Sequence, residues 1–277
     1  MSKGPGLYSD IGKKARELLY EDYQTDHKFS VTTHSPATGV AITSSGLKKG
    51  DLLLADVVTQ LKKNNLTADV KVDTESNLFT TVTINDLSPG LKTILSFKVP
   101  DQRSGRAEVQ YLHDYAGICS TVGLTVNPVI NFSAVVGSPS LAFGTDLSFD
   151  TKTGDFPSCN FGISYSTTDL IASLTLNDMG DTITASYYHL MDLVTNTAIG
   201  SEITRSFSSS ASTLTVGAQT SLDPLTVLKT RVSNTGKVSA VLQHEWRPRS
   251  FFSVSGEIDA RAINQSAKVG LALALKP

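Results

Sequence analysis

The hydrophobic pattern of the chain changes once, near residue 26. Before that point, apolar residues recur at the spacing of an amphipathic helix, with Leu7, Ile11, Ala15, Leu18 and Leu19 on one face. A helix of about 14 residues, at ~1.5 Å per residue, would form a rod of roughly 21 Å. We therefore assign residues 1–25 to an N-terminal helical segment and residues 26–277 to a second unit.

From residue 27 onward, apolar and polar residues alternate with a period of two, as in 141–150, 170–177 and 183–188. Short turn sequences, such as Ser88-Pro89-Gly90 and Asn234-Thr235-Gly236, separate the runs and require antiparallel neighbours. The pattern predicts about nineteen strands of roughly ten residues each, where soluble sheets favour about 5–6 residues. Ten residues is the length that a tilted strand needs to cross a bilayer.

Composition narrows the class of protein. Lys plus Arg is 24 and Asp plus Glu is 26, so the chain has no strong field that would attract nucleic acid. No apolar stretch reaches the ~18 residues of a transmembrane helix candidate. The five histidines show no metal-ligand spacing, and no nucleophile-elbow, P-loop or dinucleotide motif occurs, so we expect no enzyme and no cofactor.

A single antiparallel sheet of this size must close or split, because open sheets rarely exceed ~10 strands. Short hairpin links favour a closed, up-and-down transmembrane β-barrel whose apolar row faces lipid. A soluble β-rich binding protein stays an alternative on these grounds. The aromatic residues expected on the lipid-facing row, mostly near strand ends, are Phe97, Tyr111, Phe149, Phe161, Tyr165, Tyr187 and Trp246.

Three stretches of sequence, the opening, one internal triplet and the closing strand, resemble a known family. The opening Gly4-Pro5-Gly6-Leu7-Tyr8-Ser9-Asp10-Ile11-Gly12-Lys13-Lys14-Ala15 and the Gly90-Leu91-Lys92 triplet are similar to the mitochondrial outer-membrane porins, the voltage-dependent anion channels, in their plant form. The closing strand also resembles the mitochondrial barrel-sorting pattern, carried here by Lys268, Gly270, Leu273 and Leu275. The family itself has nineteen strands, so the strand count and the resemblance are not independent.

The resemblance implies a barrel with an odd strand number, closed by a parallel pair of first and last strands. It also implies a voltage-gated, weakly anion-selective channel for ATP, ADP, phosphate and small metabolites across the mitochondrial outer membrane, without cofactor or enzymatic step. The expected partners are membrane lipids, permeating nucleotides and metabolite anions, and a second copy of the chain. A protein-import translocase pore is the alternative from the same membrane.

The resemblance and the strand parity together predict the pore-lining residues that set selectivity. They are Lys13, Lys14, Arg16, Lys28, Lys71, Lys92, Lys98, Lys237 and Lys268. Lys92 is the candidate nucleotide contact. Parity places anions in the lumen in nearly equal number, so we expect only a weak anion preference.

The fourth strand departs from the animal members of the family, which carry a lipid-facing glutamate tied to kinase docking. Here the lipid-facing row reads Leu66, Ala68, Val70 and Val72. This departure argues against hexokinase docking through such an acid.

The amphipathic helix is expected inside the lumen, with Leu7, Ile11 and Leu18 against the wall and Lys13, Lys14 and Arg16 facing the permeant ions. Apolar residues on the lumen-facing row would then pack against the apolar face of the helix. The candidates are Leu52, Leu54, Ile94, Ile171 and Val241.

Overall fold

The computed structural model describes residues 4–35, 39–50, 52–101, 103–261 and 267–276. Its nineteen strands form one sheet in which each strand pairs with the next along the chain. The strands are β1 His27–Ser35, β2 Val40–Lys49, β3 Leu52–Lys63, β4 Leu66–Asp73, β5 Leu78–Asn85, β6 Leu91–Val99, β7 Arg106–Leu112, β8 Ala116–Gly123, β9 Val129–Gly137, β10 Leu141–Asp150, β11 Ser158–Ser166, β12 Leu170–Asn177, β13 Thr182–Asp192, β14 Thr197–Ser206, β15 Ser212–Asp223, β16 Thr226–Ser233, β17 Lys237–Arg247, β18 Ser250–Asp259 and β19 Lys268–Leu275.

The sheet closes through a parallel pair of its first and last strands. β1 and β19 pair in the register Lys28 with Ala272 to Val31 with Leu275, and every other pairing of neighbours is antiparallel. An odd strand number requires one parallel pair, because alternating strand directions cannot match at closure. The predicted barrel of nineteen strands, with a parallel first and last pair, is therefore confirmed.

The apolar row of each strand lies on the outside of the barrel. Leu174, Phe161 and Tyr165 are between 44% and 51% exposed, although they are large and hydrophobic. Such exposure is unstable in water and is what a lipid-facing surface requires. No helix in the described part of the chain is long and apolar enough to cross a membrane.

The N-terminal segment is not one continuous rod, so the predicted helix of about 14 residues is wrong in its length. It consists of a 3-10 turn, Tyr8–Asp10, and an α-helix, α1, Lys13–Tyr20. Gly12 separates them with a φ of +69°, the left-handed conformation that glycine adopts without a Cβ penalty. The break allows the two pieces to follow the curved wall of the barrel.

Candidate functional site: the lumen and its N-terminal segment

The pairing register carries one row of residues around the inside of the barrel. Asp146 pairs with Asn160, Gly144 with Gly162, and Ser173 with Ser186. These residues are on the same row as the polar residues of the other strands, and the N-terminal segment packs on this row. The lumen is therefore lined by Ser, Thr, Gly, Asn and charged side chains.

The N-terminal segment crosses this inner surface obliquely. Gly4 lies against the backbone of His113 and Asp114 in the β7–β8 turn. At the other end of the segment, the carbonyl of Gln24 accepts a hydrogen bond from the Ser255 hydroxyl on β18. Between these points the 3-10 turn packs on β9 and β10, and α1 packs on β13–β16. The prediction that the helix lies inside the lumen agrees with this placement.

Several positions of the wall beneath the segment are glycine or another small residue. A Cβ added to Gly144 would lie 2.8 Å from the Tyr8 ring, and one on Gly217 would lie 2.8 Å from Leu19 Cδ2. The helix therefore approaches the strand backbone closely, and Leu19 and Ala198 are completely buried between them. We call the inner surface of β9–β16 the covered wall and that of β2–β6 the open wall.

The wall partners expected for the helix are mostly wrong. Leu52, Leu54 and Ile94 lie on β3 and β6 of the open wall. Ile171 does line a cavity of about 350 Å³ beside Ile11, and Val241 is 1% exposed on β17. Large inward side chains would hold a helix away from the sheet, whereas glycine, alanine and serine allow its backbone to approach. Small residues therefore allow the close approach, and Tyr188 and Leu190 are the apolar wall residues that pack against Leu18 and Leu19.

Two cations on β16 anchor the end of α1. The Arg231 guanidinium donates to the Leu19 carbonyl at 3.0 Å and to the Glu257 carboxylate at 3.3 Å. The Lys229 ammonium pairs with the Asp22 carboxylate at 2.8 Å. The last carbonyls of a helix lack partners and carry partial negative charge, so cations there stabilise it.

Aromatic rings surround the Arg231 guanidinium. It lies 4.4 Å from the centre of the Tyr23 ring and 5.7 Å from that of Tyr20, within the range of cation–π attraction. Burial raises the pKa of Tyr23 to about 12, so this ring stays neutral at any physiological pH. The Tyr20 hydroxyl donates to Glu202 on β14 at 2.7 Å, which fixes the helix to a second strand.

Sequence reasoning missed Lys229 and Arg231 as lumen residues. The strand near residue 227 has a weak alternating pattern, because Leu228, Thr230 and Val232 on its outer row are only partly apolar. The available signal was the position of both cations on one row, two residues apart. On the neighbouring strand β15, Gly217 pairs with Arg231 and Gln219 pairs with Lys229.

The predicted strand cations all lie on the inner row but are not brought together. Lys71 pairs with Asp56 at 3.2 Å on the open wall, and Lys237 lies 3.9 Å from Glu257. Lys98 stands 5.2 Å from the centre of the Phe79 ring. The others, Lys28, Lys92 and Lys268, occupy β1, β6 and β19. They form a dispersed lining, not a binding cluster.

The helix cations differ among themselves. Lys13 and Lys14 are 55% and 61% exposed towards the lumen. Lys13 forms a weak ion pair with Asp10 of the 3-10 turn, and Lys14 forms one with Glu17 of α1. The Arg16 guanidinium turns back and donates to the Ser9 carbonyl at 2.9 Å. Arg16 therefore also holds the 3-10 turn to the helix, a role that its place on the polar face did not predict.

The Gly90-Leu91-Lys92 triplet has a simple structural explanation. Gly90, at a φ of +80°, closes the β5–β6 turn, and its carbonyl accepts a hydrogen bond from the Leu112 N–H at 2.9 Å. Leu91 pairs with Tyr111 on the outer row, and Lys92 pairs with Gln110 on the inner row. Lys92 thus lies in the lumen, where a phosphate contact stays a prediction.

The four residues of the sorting pattern lie on β19, and one has an additional role in the structure. Gly270 is on the inner row and leaves room for the Gln24 backbone of the N-terminal segment. Leu273 and Leu275 are on the outer row beside β1. Their use as a sorting signal stays a prediction.

The two cysteines lie on opposite faces of the barrel. Cys119 is on the inner row, 3.5 Å from a Glu108 carboxylate oxygen, and Cys159 is on the outer row beside Leu147. Both are free thiols. Within the described ranges, no group of three or more His, Cys, Asp or Glu residues is arranged to hold a metal ion.

Comparison with known proteins gives a consistent family. The model of the eukaryotic porin family matches residues 4–270. A potato protein, "Mitochondrial outer membrane protein porin of 34 kDa", is 66% identical over the whole of both chains. The Arabidopsis thaliana "Mitochondrial outer membrane protein porin 1" and the pea "Outer plastidial membrane protein porin" are each 60% identical, again over the whole of both chains.

Proposed function

Because this chain belongs to the eukaryotic porin family, we propose that it forms a weakly anion-selective, voltage-gated channel through which ATP, ADP, phosphate and other small metabolites cross the mitochondrial outer membrane. The observation that carries this function is the closed polar lumen, in which the N-terminal segment covers one wall and leaves the other open. Proteins of this family are channels, and we propose no enzymatic step for this one.

The dimensions of the barrel support passage of metabolites. Nineteen strands ~4.8 Å apart and tilted by ~40° give a backbone diameter near 38 Å, and the inner side chains reduce the lumen to very roughly 25 Å. A helix ~10 Å across against the covered wall leaves a passage wide enough for hydrated nucleotides. Neither the translocase pore nor the soluble binding protein gains support from the relatives.

The charges of the lumen support a weak preference. Lys49, Lys229 and Arg231 join the predicted inner-row cations, while Glu245 and Asp259 join the inner-row anions. The lining thus stays close to balance, and the exposed Lys13 and Lys14 favour anions slightly. Salt screens such charges within ~8–10 Å, so the preference falls as ionic strength rises.

The voltage response would act on charges that the membrane potential can move. The N-terminal segment carries such charges. Side chains of the strands hold it in place, and its described residues contribute no strand to the sheet. One elementary charge that crosses the full potential changes its energy by about 2.3 kcal/mol per 100 mV.

The test is reconstitution of the full chain in a planar bilayer with a tenfold salt gradient. We expect a large conductance, closure as the voltage rises in either direction, and a reversal potential of the sign that anion preference gives. A conductance no larger than that of a narrow ion channel would contradict the proposal. Uptake of the newly made chain by isolated mitochondria and plastids, side by side, tests the membrane assignment against the plastidial relative.

A further inference from the structure

The outer surface of the barrel has a groove where the sheet closes. It encloses about 450 Å³ over β1, β2, β3, β18 and β19, and its apolar lining includes Phe29, Leu53, Phe252 and Leu271. These four side chains are between 41% and 67% exposed. The volume falls in the range of about 300–1,000 Å³ typical of ligand pockets.

The floor of the groove lies at a glycine, which has no side chain. Gly46 lies on the outer row of β2, directly opposite Phe29 of β1. A Cβ at Gly46 would have no atom within 4 Å, so the surface is notched beside the Phe29 ring.

One end of the groove is cationic. Lys48 is two residues beyond Gly46 on the same outer row, or about 7 Å nearer the end of the strand. His27, the first residue of β1, pairs with Lys48 across the two strands. Both side chains line the groove. Lys48 is one of three outer-row lysine and arginine residues at strand ends, with Lys63 and Arg205.

From this arrangement we propose that the groove binds one anionic phospholipid. Its phosphate lies at Lys48 and the His27 imidazole, where the strands meet the headgroup region, and an acyl chain follows the notch at Gly46 towards the bilayer centre. Lysine is a common phosphate ligand, and either form of histidine offers an N–H donor. The closing pair of strands has only four paired positions, so a lipid chain over it also covers the shortest ladder of the barrel.

Charge distinguishes this ligand from the other occupants of an apolar groove. A second copy of the chain in a two-fold interface would bring one Lys48 towards the other, which is unfavourable. A sterol offers one hydroxyl and no anion to the Lys48 ammonium. A zwitterionic lipid carries a cation that offsets its phosphate.

The test is native mass spectrometry of the purified full chain with equal amounts of dioleoyl phosphatidylglycerol and dioleoyl phosphatidylcholine. We expect one tightly held phosphatidylglycerol, preferred about five-fold, because one lysine at a membrane surface provides about that factor. Lys48→Gln should abolish the preference. Gly46→Leu, which fills the notch and keeps the charge, should weaken retention of the lipid.

Two matched variants control for position. Arg205→Gln removes a lipid-facing cation at the same end of the barrel, and Gly256→Leu fills another lipid-facing glycine with open space around it. Both should bind lipid like the unaltered chain. Equal retention of the two lipids by the unaltered chain, unchanged binding in Lys48→Gln, or a dimer that Gly46→Leu abolishes would each overturn the proposal. Channel conductance, measured on every variant, shows folding and is independent of this site.

Discussion

The covered wall and the open wall belong to one sheet but differ in what their inner rows carry. Directly under the N-terminal segment much of the row is small, with Gly162, Ser173, Ala198 and Gly200 among its members. The charged residues of this wall, such as Glu202 and Arg231, bind the segment itself. On the open wall the inner row is charged, as at Asp56, which is 25% exposed in its pair with Lys71. The outer rows of both walls are alike.

This difference shows how one fold holds a helix and a water-filled passage at once. Close approach of a helix to a sheet requires the loss of inner side chains, and it buries apolar residues such as Leu18 and Leu19. Where the inner side chains are long and charged, they keep water and ions beside the wall. The inner row therefore decides which half of the lumen conducts.

The largest effect that we expect comes from removing the anchor on the covered wall. Arg231 and Glu257 are each 18% exposed, and loss of one partner of a largely buried pair costs about 3–5 kcal/mol. Arg231→Ala should therefore free the helix. The electron paramagnetic resonance spectrum of a nitroxide attached at residue 14 should then show increased mobility of the label. The matched change on a neighbouring part of the wall, Arg106→Ala, removes a half-exposed pair worth about 1 kcal/mol at most. Equal mobility in the two variants would remove the distinction between a buried anchor and an exposed pair.

A smaller effect should follow when a side chain is added to a glycine of the covered wall. Gly217→Val places atoms within 2.8 Å of Leu19 Cδ2 and the Thr230 carbonyl, and overpacking of this kind costs about 1–3 kcal/mol. Gly123→Val is the control, since a Cβ there meets nothing closer than 3.9 Å. The midpoint temperature of thermal unfolding in detergent should be lowered by Gly217→Val only. If both variants unfold alike, close packing of the helix on glycine is not a source of stability.

The fold followed from the sequence more completely than the site did. Alternation and turn residues predicted the strands, because a lipid-facing row must be apolar along every strand. The break at Gly12 was not predicted, since the apolar period continues across it. The wall of the lumen on which the helix lies was also not predicted. Apolar inner-row residues such as Leu54 do not mark this wall. A row of small residues marks it, and that row becomes visible only when the register aligns successive strands.

Selectivity should change when the exposed helix charges are reversed. Replacement of Lys13, Lys14 and Arg16 by Glu changes the lumen charge by six units and should turn the weak anion preference into a cation preference. The check is the sign of the reversal potential in a salt gradient. An unchanged sign would mean that the helix is outside the conduction path.

The smallest effect concerns a turn at the end of the covered wall. Asp181 accepts hydrogen bonds from the Ser206 and Ser208 hydroxyls and from the Ser208 N–H at 2.8 Å, and these bonds lower the pKa of its carboxyl. A lowered pKa stabilises this link above the ordinary aspartate pKa, and the stabilisation is lost as pH falls through the lowered value. We expect the Ser208 amide to exchange faster in Asp181→Asn than in the unaltered chain at neutral pH. The difference should vanish in acid, and a difference that persists there would contradict this link.

The most direct test of the account measures where the helix lies. In a chain with Cys119 and Cys159 replaced by serine, nitroxides at Lys14 and Ser164 report the covered wall, since both residues line one cavity. Nitroxides at Lys14 and Lys71 report the distance to the open wall. For a backbone diameter near 38 Å, we predict a narrow distribution for the first pair, shorter than the second by on the order of 10 Å. Equal distances for the two pairs, or broad distance distributions for both, would contradict a helix held on the covered wall of the lumen.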